Sequence, residues 1–457
     1  MNKKIVVGIS CFLLLVLLGV GIFCFSSKMR KDKIKTEEIT GMVLQYKDKR
    51  VTIQDSNHVI YTFSNVKSDF SIGDQVIVEY TGILNKNQNK QSCQVMKYNS
   101  VSEDTDDYGI PTSWLDDGIF SSFYKMAYDK LKTLTLDEKI GQLLLVRYPD
   151  SNQIELLKKY GFSGYLFFEK DFKDKTSASV KGEISNLQKN SSIPLLTAVD
   201  EEGGNVVRVS SNPKLVTEKF KSPSELYSLG GFDLIQEDTV SKSQILSNLG
   251  LNLNLAPVVD VSTNSNDYMY ERTLKENTSL TSTYAKKVIE SSKGTGVSYT
   301  LKHFPGYGNN SDTHTGSSVD SRSYEEIVAN DLPPFKSGID AGAEAVLVSH
   351  NIVDSIDSNN PASLSMDIHN LLRGDLGFTG IVITDDLAMG AVSSIDNVAV
   401  KALLAGNDLL ITTDYQGSFD SIKKAVEEGQ LSEEHINKLA FRVLAWKYYK
   451  LLFLHQK

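Results

Sequence analysis

Cysteine is scarce in this sequence, and its scarcity excludes an intrachain disulfide from most of the chain. Only 3 cysteines occur in 457 residues, and two of them, Cys11 and Cys24, lie in one apolar N-terminal stretch. Cys93 is then alone in the remainder, where it has no partner for a disulfide. Because Cys93 stands in a polar, Asn- and Gln-rich stretch, a catalytic thiol is not expected either.

Basic stripes and glycine-rich phosphate turns are also missing. The formal net charge is -9, and no basic cluster occurs beyond the first few dozen residues, which argues against a nucleic-acid partner and favours a neutral or cationic one. The 40% content of hydrophobic residues is ordinary. A chain of this length can therefore form one large domain of about 250 to 350 residues and a smaller one.

One long apolar run is present, and it lies at the N-terminus. Residues 5–25 match the length of about 20 residues that crosses a bilayer, and Lys3 and Lys4 precede them. We predict that residues 1–35 form a signal anchor with a basic flank; secretion after signal cleavage is the alternative. The positive-inside rule favours a cytoplasmic body, whereas the function implied below favours an extracellular one.

Two further regions precede the main domain. Apolar and polar residues alternate across residues 36–101, with turn-forming residues between the runs, which predicts a small β-barrel-like domain. The acidic, turn-rich residues 102–112 are predicted to be a linker. No aromatic cluster marks a ligand surface in the small domain, so no chemistry is assigned to it.

Residues 113–457 are predicted to form a (β/α)8 TIM barrel. Short apolar runs alternate with polar or helical stretches, and the eight runs cover residues 143–146, 165–168, 195–199, 253–259, 297–301, 345–348, 381–384 and 409–412. Eight buried strands that alternate with helices are typical of this barrel. No glycine-rich turn follows Val146, which argues against an open doubly wound sheet.

Polar side chains follow several of these predicted strands. Active sites of such barrels lie at the carboxyl ends of the strands. The polar residues at these positions are Asp200, Lys302, His303, His350, Asp385 and Asp386. Charged groups that meet at one face, with glycines that let a ligand approach the backbone, predict a pocket for a polyhydroxylated ligand.

These segments resemble glycoside hydrolase family 3, and most closely its bacterial β-N-acetylglucosaminidase branch. The resemblance extends from about Leu134 to Leu444 and is carried by four segments in the family's order. They are Asp200-Glu201-Glu202-Gly203-Gly204-Asn205-Val206-Val207-Arg208, Lys302-His303-Phe304-Pro305-Gly306-Tyr307-Gly308, Asp312-Thr313-His314 and Ile383-Thr384-Asp385-Asp386-Leu387-Ala388-Met389. Tyr307 departs from a position that is often histidine, and Asn205 from a common arginine.

The resemblance implies catalytic roles for Asp385, Asp312 and His314. Asp385 would be the nucleophile that forms a covalent glycosyl-enzyme. Asp386 is the rival, but successive strand residues point to opposite faces. Two-domain family members take the acid/base from a second domain, and none follows this barrel in the sequence. The loop pair Asp312 and His314 is therefore expected to supply it, with the aspartate fixing the histidine tautomer.

The same resemblance implies that Asp200, Arg272, Lys302 and His303 bind the sugar hydroxyls of the first subsite. The alternative is that the carboxylate and the cations only pair with each other. Glu201 and Glu202 are expected to shape the loop after the third strand rather than to act in catalysis.

The implied function is that of a retaining, exo-acting β-N-acetylglucosaminidase that acts on peptidoglycan fragments or chito-oligosaccharides. No cofactor is expected, and no metal, because the aspartates and histidines above lack local ligand spacing. The expected partners are a carbohydrate and, through the N-terminal helix, a bacterial cell membrane; the oligomeric state is not predicted. The open alternatives are a β-glucosidase or glycoside phosphorylase on the same fold, or an inactive membrane-anchored wall-binding protein.

Overall fold

The computed structural model describes residues 37–47, 49–55, 59–64, 70, 74–81, 94–100, 105–308, 312–313 and 316–452. The chain divides into two compact units, the first from residues before Ser102 and the second from Ser102 onward together with the short segment Phe70–Asp74. No helix within the described ranges has both the length and the apolar composition needed to cross a membrane. The predicted signal anchor, residues 1–35, lies outside these ranges.

The first unit contains a five-stranded antiparallel sheet. Its strands are β1 (Glu37–Lys47), β2 (Arg50–Gln54), β3 (Ile60–Ser64), β4 (Gln75–Thr81) and β5 (Gln94–Ser100), in the order β3-β2-β1-β4-β5. Alternate residues such as Val51, Ile53 and Phe63 are fully buried, as the period of two predicts. The small all-β unit is confirmed. Its closure into a barrel stays a prediction, since the described strands show no pairing between β3 and β5.

The second unit contains eight parallel strands. They are β6 (Leu144–Arg147), β7 (Gly164–Phe167), β8 (Leu196–Val199), β9 (Leu253–Asn254), β10 (Ser298–Phe304), β12 (Ala345–Val348), β15 (Ile381–Thr384) and β16 (Leu410–Thr412). The short strands β11 (Val319–Asp320), β13 (Ile352–Val353) and β14 (Asp357–Pro361) form a separate small sheet beside them.

Helices cover the strands, and several of them begin at a residue whose side chain caps the first turn. Their bounds are α1 (Tyr124–Leu131), α2 (Leu136–Gly141), α3 (Gln153–Tyr160), α4 (Glu169–Phe172), α5 (Ser177–Lys189), α6 (Pro223–Leu249), α7 (Thr278–Ser292), α8 (Tyr324–Asn330), α9 (Leu332–Asp340), α10 (Met366–Asn370), α11 (Val398–Ala405), α12 (Tyr415–Glu427) and α13 (Glu433–Tyr449). At the start of α2, for example, Thr135 and Glu138 form a capping box.

The eight strands form a nearly closed barrel. Their order is β15-β12-β10-β9-β8-β7-β6-β16, and a parallel bridge between Ile383 and Leu409 joins the two outer strands. The amide of Thr384 donates to the Leu409 carbonyl at 3.1 Å across the same seam. The predicted α/β class and the eight-stranded parallel barrel are therefore confirmed.

Strand β10 is longer than the sequence predicted. It extends to Phe304, so Lys302 and His303 lie inside the strand rather than after it. The cause is additional parallel pairing, because Val258 bridges Lys302 and the amide of Val259 donates to the Lys302 carbonyl at 2.8 Å. The strand predicted at residues 253–259 is shorter than expected, since β9 ends at Asn254.

A matched pair of glycine substitutions tests the packing of the barrel strands. A Cβ at Gly164 would lie 1.9 Å from the backbone oxygen of Leu196, whereas a Cβ at Gly182 of α5 would meet nothing within 4 Å. We expect Gly164→Ala to lower the free energy of unfolding by about 1 to 3 kcal/mol. Gly182→Ala should be neutral or stabilising by up to about 1 kcal/mol.

Tryptophan fluorescence during urea unfolding measures both changes, because Trp114 and Trp446 are buried in the second unit. Equal midpoints for Gly164→Ala and the wild type would contradict the close approach of β7 and β8.

Candidate active site

The carboxyl ends of the barrel strands bring most of the predicted site residues together. Asp200 follows β8, Lys302 and His303 belong to β10, and Asp385 follows β15. Arg272 ends a 3-10 helix, Tyr270–Arg272, in the long connection after β9. Because parallel strands end at the same rim, residues distant in sequence meet there.

Lys302 is the centre of a buried charge network. Its Nζ atom lies 2.7 Å from an Asp200 oxygen and 2.7 Å from a Glu202 oxygen. Arg272 donates two hydrogen bonds to the Glu202 carboxylate, at 2.9 and 2.7 Å. The Lys302 side chain is only 3% exposed, so it needs both carboxylates to offset the loss of water.

Glu202 therefore belongs to the buried charges at the strand ends, and its expected role in shaping the loop rather than in catalysis stays a prediction. Burial alone would raise the pKa of Glu202, but Arg272 and Lys302 outweigh burial and hold that pKa well below its usual range. Glu201 contacts the backbone of the loop after β8 directly. Its carboxylate accepts hydrogen bonds from the amides of Arg208, Val209 and Ser210.

His303 is held by a carboxylate on one side and faces a guanidinium on the other. Its Nδ1 atom lies 2.8 Å from an Asp260 oxygen, and its Nε2 atom lies 3.3 Å from Arg272. Asp260 also accepts the amide of Tyr307 at 2.7 Å. If Nδ1 donates to Asp260, the Nε2 lone pair points to the cation, which fixes the ring tautomer.

Asp385 and Asp386 lie in different environments. Burial raises the pKa of Asp385, but His350, His303 and Lys302 outweigh it, so the pKa falls below its ordinary value of 3.8. Burial raises the pKa of Asp386, whose carboxylate accepts hydrogen bonds from the Ala388 amide and the Thr413 hydroxyl. Of the pair, Asp385 is thus the one whose pKa is lowered, and it is the one whose surroundings favour the ionised carboxylate.

His350 supports the turn that carries Asp385. It is fully buried, and burial lowers its pKa. Its Nε2 atom hydrogen-bonds to the backbone oxygen of Asp386 at 3.0 Å, and its Nδ1 atom to the Ser363 hydroxyl at 2.7 Å. Sequence analysis placed His350 at a strand end but gave it no role, since nothing local indicates a contact across strands.

The loop after β10 is described only in part. Asp312 and Thr313 are described, whereas His314 lies outside the described residues, so its predicted role stays a prediction. Burial raises the pKa of Tyr268, and the negative charge of Asp312 raises it further. Thr313 is buried, and its carbonyl accepts the amide of Ala391, in the segment that follows Asp385. The loop therefore contacts the strand end that carries the predicted nucleophile.

The described residues contain no group of three or more histidine, cysteine, aspartate or glutamate side chains arranged to hold a metal ion. Asp200 and Glu202 instead form ion pairs, Asp200 with Lys302 and Glu202 with Arg272.

Comparisons with known proteins agree with this geometry. The profile of the family described as "Glycosyl hydrolase family 3 N terminal domain" matches residues 135–446. A beta-hexosaminidase from Xylella fastidiosa is 29% identical over 310 residues, which cover 65% of this chain and 89% of that protein. A beta-hexosaminidase from Xanthomonas euvesicatoria is 31% identical over 264 residues, which cover 54% of this chain and 75% of that protein.

A solved structure gives the same result. The glycoside hydrolase family 3 beta-N-acetylglucosaminidase from a Paenibacillus species superposes with a TM-score of 0.66 and 30% sequence identity, covering 70% of this chain. This chain spans 64% of the Paenibacillus protein's length, slightly less than two thirds.

A nearly closed parallel barrel with an aspartate of lowered pKa beside histidines and a lysine at its strand ends has the architecture of a barrel glycoside hydrolase. With a family profile over most of the second unit, the chain belongs to glycosyl hydrolase family 3. The family, its bacterial hexosaminidase branch and the glycoside hydrolase class predicted from the sequence are confirmed.

Removal of the Glu202 charge tests the buried network. Glu202→Gln leaves Lys302 and Arg272 with one carboxylate fewer, which should cost about 3 to 5 kcal/mol at pH 7. Because the folded-state pKa of Glu202 lies below the unfolded value of 4.5, its stabilisation is present above pH 4.5 and decreases as the pH falls below it.

Urea unfolding at pH 7 and at pH 3.5 measures the difference between wild type and variant, which should shrink at the lower pH. Glu225→Gln is the control, since Glu225 pairs with Lys221 at an exposed position. Equal destabilisation by the two substitutions would contradict the role given to Glu202.

Proposed function

We propose that this chain is a retaining, exo-acting β-N-acetylglucosaminidase that removes terminal N-acetylglucosamine from peptidoglycan fragments or chito-oligosaccharides. The observation that carries the proposal is the position of Asp385 directly after β15, at the rim of the barrel where Asp200, Lys302 and His303 also lie; His350, His303 and Lys302 outweigh burial and lower its pKa. The names of the relatives, beta-hexosaminidase and beta-N-acetylglucosaminidase, support the sugar.

In the first step, an Asp385 oxygen attacks the anomeric carbon while the bond from that carbon to the leaving oxygen breaks. His314 gives its proton to the leaving oxygen, which departs as an alcohol. The product is a glycosyl ester of Asp385. A carboxylate with a lowered pKa is suited to this step, because it is ionised before the sugar arrives.

In the second step, water replaces the departed alcohol. His314, now neutral, accepts a proton from the water as the water oxygen attacks the anomeric carbon. The ester bond breaks, Asp385 regains its charge, and the sugar leaves with its original configuration. Asp312 orients His314 and stabilises its charged form in both steps. The hydrogen bond between Thr313 and Ala391 supports this assignment, since it ties the residue before His314 to the Asp385 strand end.

The network of Asp200, Lys302, Glu202 and Arg272 suits the first subsite. A sugar hydroxyl can donate one hydrogen bond and accept another. A carboxylate can therefore accept a hydrogen bond from the hydroxyl while a cation donates one to the same oxygen. Two carboxylates pair with Lys302, and Asp200 is the one more accessible to a ligand, since 16% of its side chain is exposed, against 2% for Glu202. Because these charges pair with one another within the protein, binding needs little reorganisation of the charges.

Substitution of the two adjacent aspartates tests the nucleophile. Asp385→Asn should lower the turnover of an aryl N-acetylglucosaminide at least about 10³-fold, since the amide cannot form the ester. Asp386→Asn is the matched control and should retain activity within a few-fold, because the Asp386 side chain contacts Ala388 and Thr413 instead.

Mass spectrometry of protein trapped with a fluorinated N-acetylglucosaminide should find the sugar on Asp385. A label on another residue would contradict the assignment. An inactive wild type would favour the wall-binding alternative. Parallel assays on the β-glucoside, and with added phosphate, decide between the hydrolase and the β-glucosidase or phosphorylase alternatives.

The acid/base assignment has a separate test. His314→Ala should lower kcat/KM about 10²- to 10⁴-fold for a substrate with a poor leaving group, since that group needs the proton. For a glycoside with a strongly acidic leaving group, His314→Ala should lower kcat/KM much less. An equal loss for both substrates would exclude His314 as the general acid.

We further propose that residues 1–35 hold the protein at the bacterial cell membrane with the enzyme outside. The apolar residues 5–25 support this proposal. The full chain should sediment with membranes, a chain without residues 1–35 should not, and protease added to intact cells should degrade the enzyme. Release of a shortened chain into the medium would instead support signal cleavage.

A further inference from the structure

A lysine of the helix that follows β8 binds the backbone of Glu202. Lys242 lies in the second half of α6 and is 5% exposed. Its Nζ atom donates to the Glu202 carbonyl oxygen at 3.2 Å and lies 3.1 Å from an Asp238 carboxylate oxygen. Glu202 is therefore held on two sides, since its carboxylate binds Lys302 and Arg272 while its backbone binds Lys242. Sequence analysis gave Lys242 no role.

Lys242 keeps its positive charge in this buried position. Burial lowers the pKa of Lys242, but nearby acidic groups, Asp238 foremost, outweigh burial and raise that pKa above its ordinary value of 10.5. The Nζ atom also lies 4.9 Å from the centre of the Phe220 ring, a distance at which an aromatic face attracts a cation. A charged donor makes a stronger hydrogen bond than a neutral one, so the contact with the Glu202 carbonyl is a firm one.

The residues on either side of Glu202 are fixed by other elements. The Asn254 side chain of β9 accepts the Glu201 amide at 2.9 Å and donates to the Glu201 carbonyl at 3.1 Å. The Gly204 amide donates to the Phe220 carbonyl at 2.8 Å. Between these two anchors, α6 holds the turn after β8 at the Glu202 carbonyl.

We propose that Lys242 is a positioning residue for the first sugar subsite: by holding the Glu202 backbone from α6, it sets the Glu202 carboxylate, and through it Lys302 and Arg272, against the sugar hydroxyls. The inference rests on the proposed function, in which that network binds the terminal sugar. A shift of Glu202 would move both cations, because one carboxylate oxygen lies 2.7 Å from a nitrogen of each. Lys242 acts through Glu202 and not on the reacting atoms, so its removal should weaken binding rather than slow the chemistry.

Lys242→Met tests the inference, because methionine is an unbranched side chain that lacks the donor. We expect the inhibition constant of free N-acetylglucosamine to rise about five- to tenfold, the loss of one hydrogen bond. The KM of an aryl N-acetylglucosaminide should rise with it, while kcat stays within about twofold of the wild type.

Ser243→Ala is the matched control on the same helix. Ser243 is fully buried, and its hydroxyl bonds to the Tyr299 hydroxyl of β10 at 3.0 Å and to a carbonyl of α6 rather than to Glu202. We expect Ser243→Ala to lower the urea midpoint of unfolding and to leave the inhibition constant unchanged. A purely structural role for Lys242 would make the two variants alike in both measurements.

A second pair of variants keeps the test decisive if Lys242→Met folds poorly. That substitution removes the cation that pairs with the largely buried Asp238, a cost that the double variant Lys242→Met/Asp238→Asn avoids. The double variant should show the same five- to tenfold rise in the inhibition constant. Asp238→Asn alone keeps the donor to Glu202 and should bind N-acetylglucosamine within about twofold of the wild type.

Two outcomes would overturn the inference. One is an unchanged inhibition constant in the double variant; the other is an equal rise in the double variant and in Ser243→Ala. Failure of the proposed function is distinguishable, because Arg272→Met would then bind N-acetylglucosamine as tightly as the wild type does. The inference alone fails if Arg272→Met weakens binding and the Lys242 variants do not.

Discussion

A parallel sheet that closes on itself leaves polar side chains almost nowhere but at the ends of its strands. Both faces of the barrel strands are buried, by the interior on one side and by helices on the other. Residues such as Leu145, Leu196, Val346 and Val382 are 0% exposed. The bridge between Ile383 and Leu409 joins the two outer strands and nearly closes the barrel. The charged residues of the predicted site therefore meet at one rim, where the strands end.

At that rim, the central constraint is the balance of buried charge. Lys302 cannot be buried alone, so Asp200 and Glu202 approach it, and Glu202 in turn requires Arg272. Asp385 lies at the same rim, where His350, His303 and Lys302 outweigh the effect of burial and lower its pKa. Lys302 is thus part of the charge network and also contributes to the environment of the proposed nucleophile.

Much of the fold could be predicted from the sequence, because it depends on local pattern. The runs at 345–348 and 381–384 became β12 and β15 with the same bounds, since each is a short segment of almost wholly apolar residues. The fifth run was predicted too short, because Lys302 and His303 are polar. Their place in the strand comes from pairing with the segment at Val258, which no local pattern indicates.

The sequence by itself determined the strand and helix alternation, the family, and the polar residues that lie at or near the strand ends, because each of these depends on adjacent residues. Only the tertiary structure decided which charges pair. Glu202 and Arg272 are 70 positions apart, and Asp200 and Lys302 are 102 positions apart. The reason is physical: burial and ion pairing depend on distance in space, which the closure of the barrel sets and sequence spacing does not.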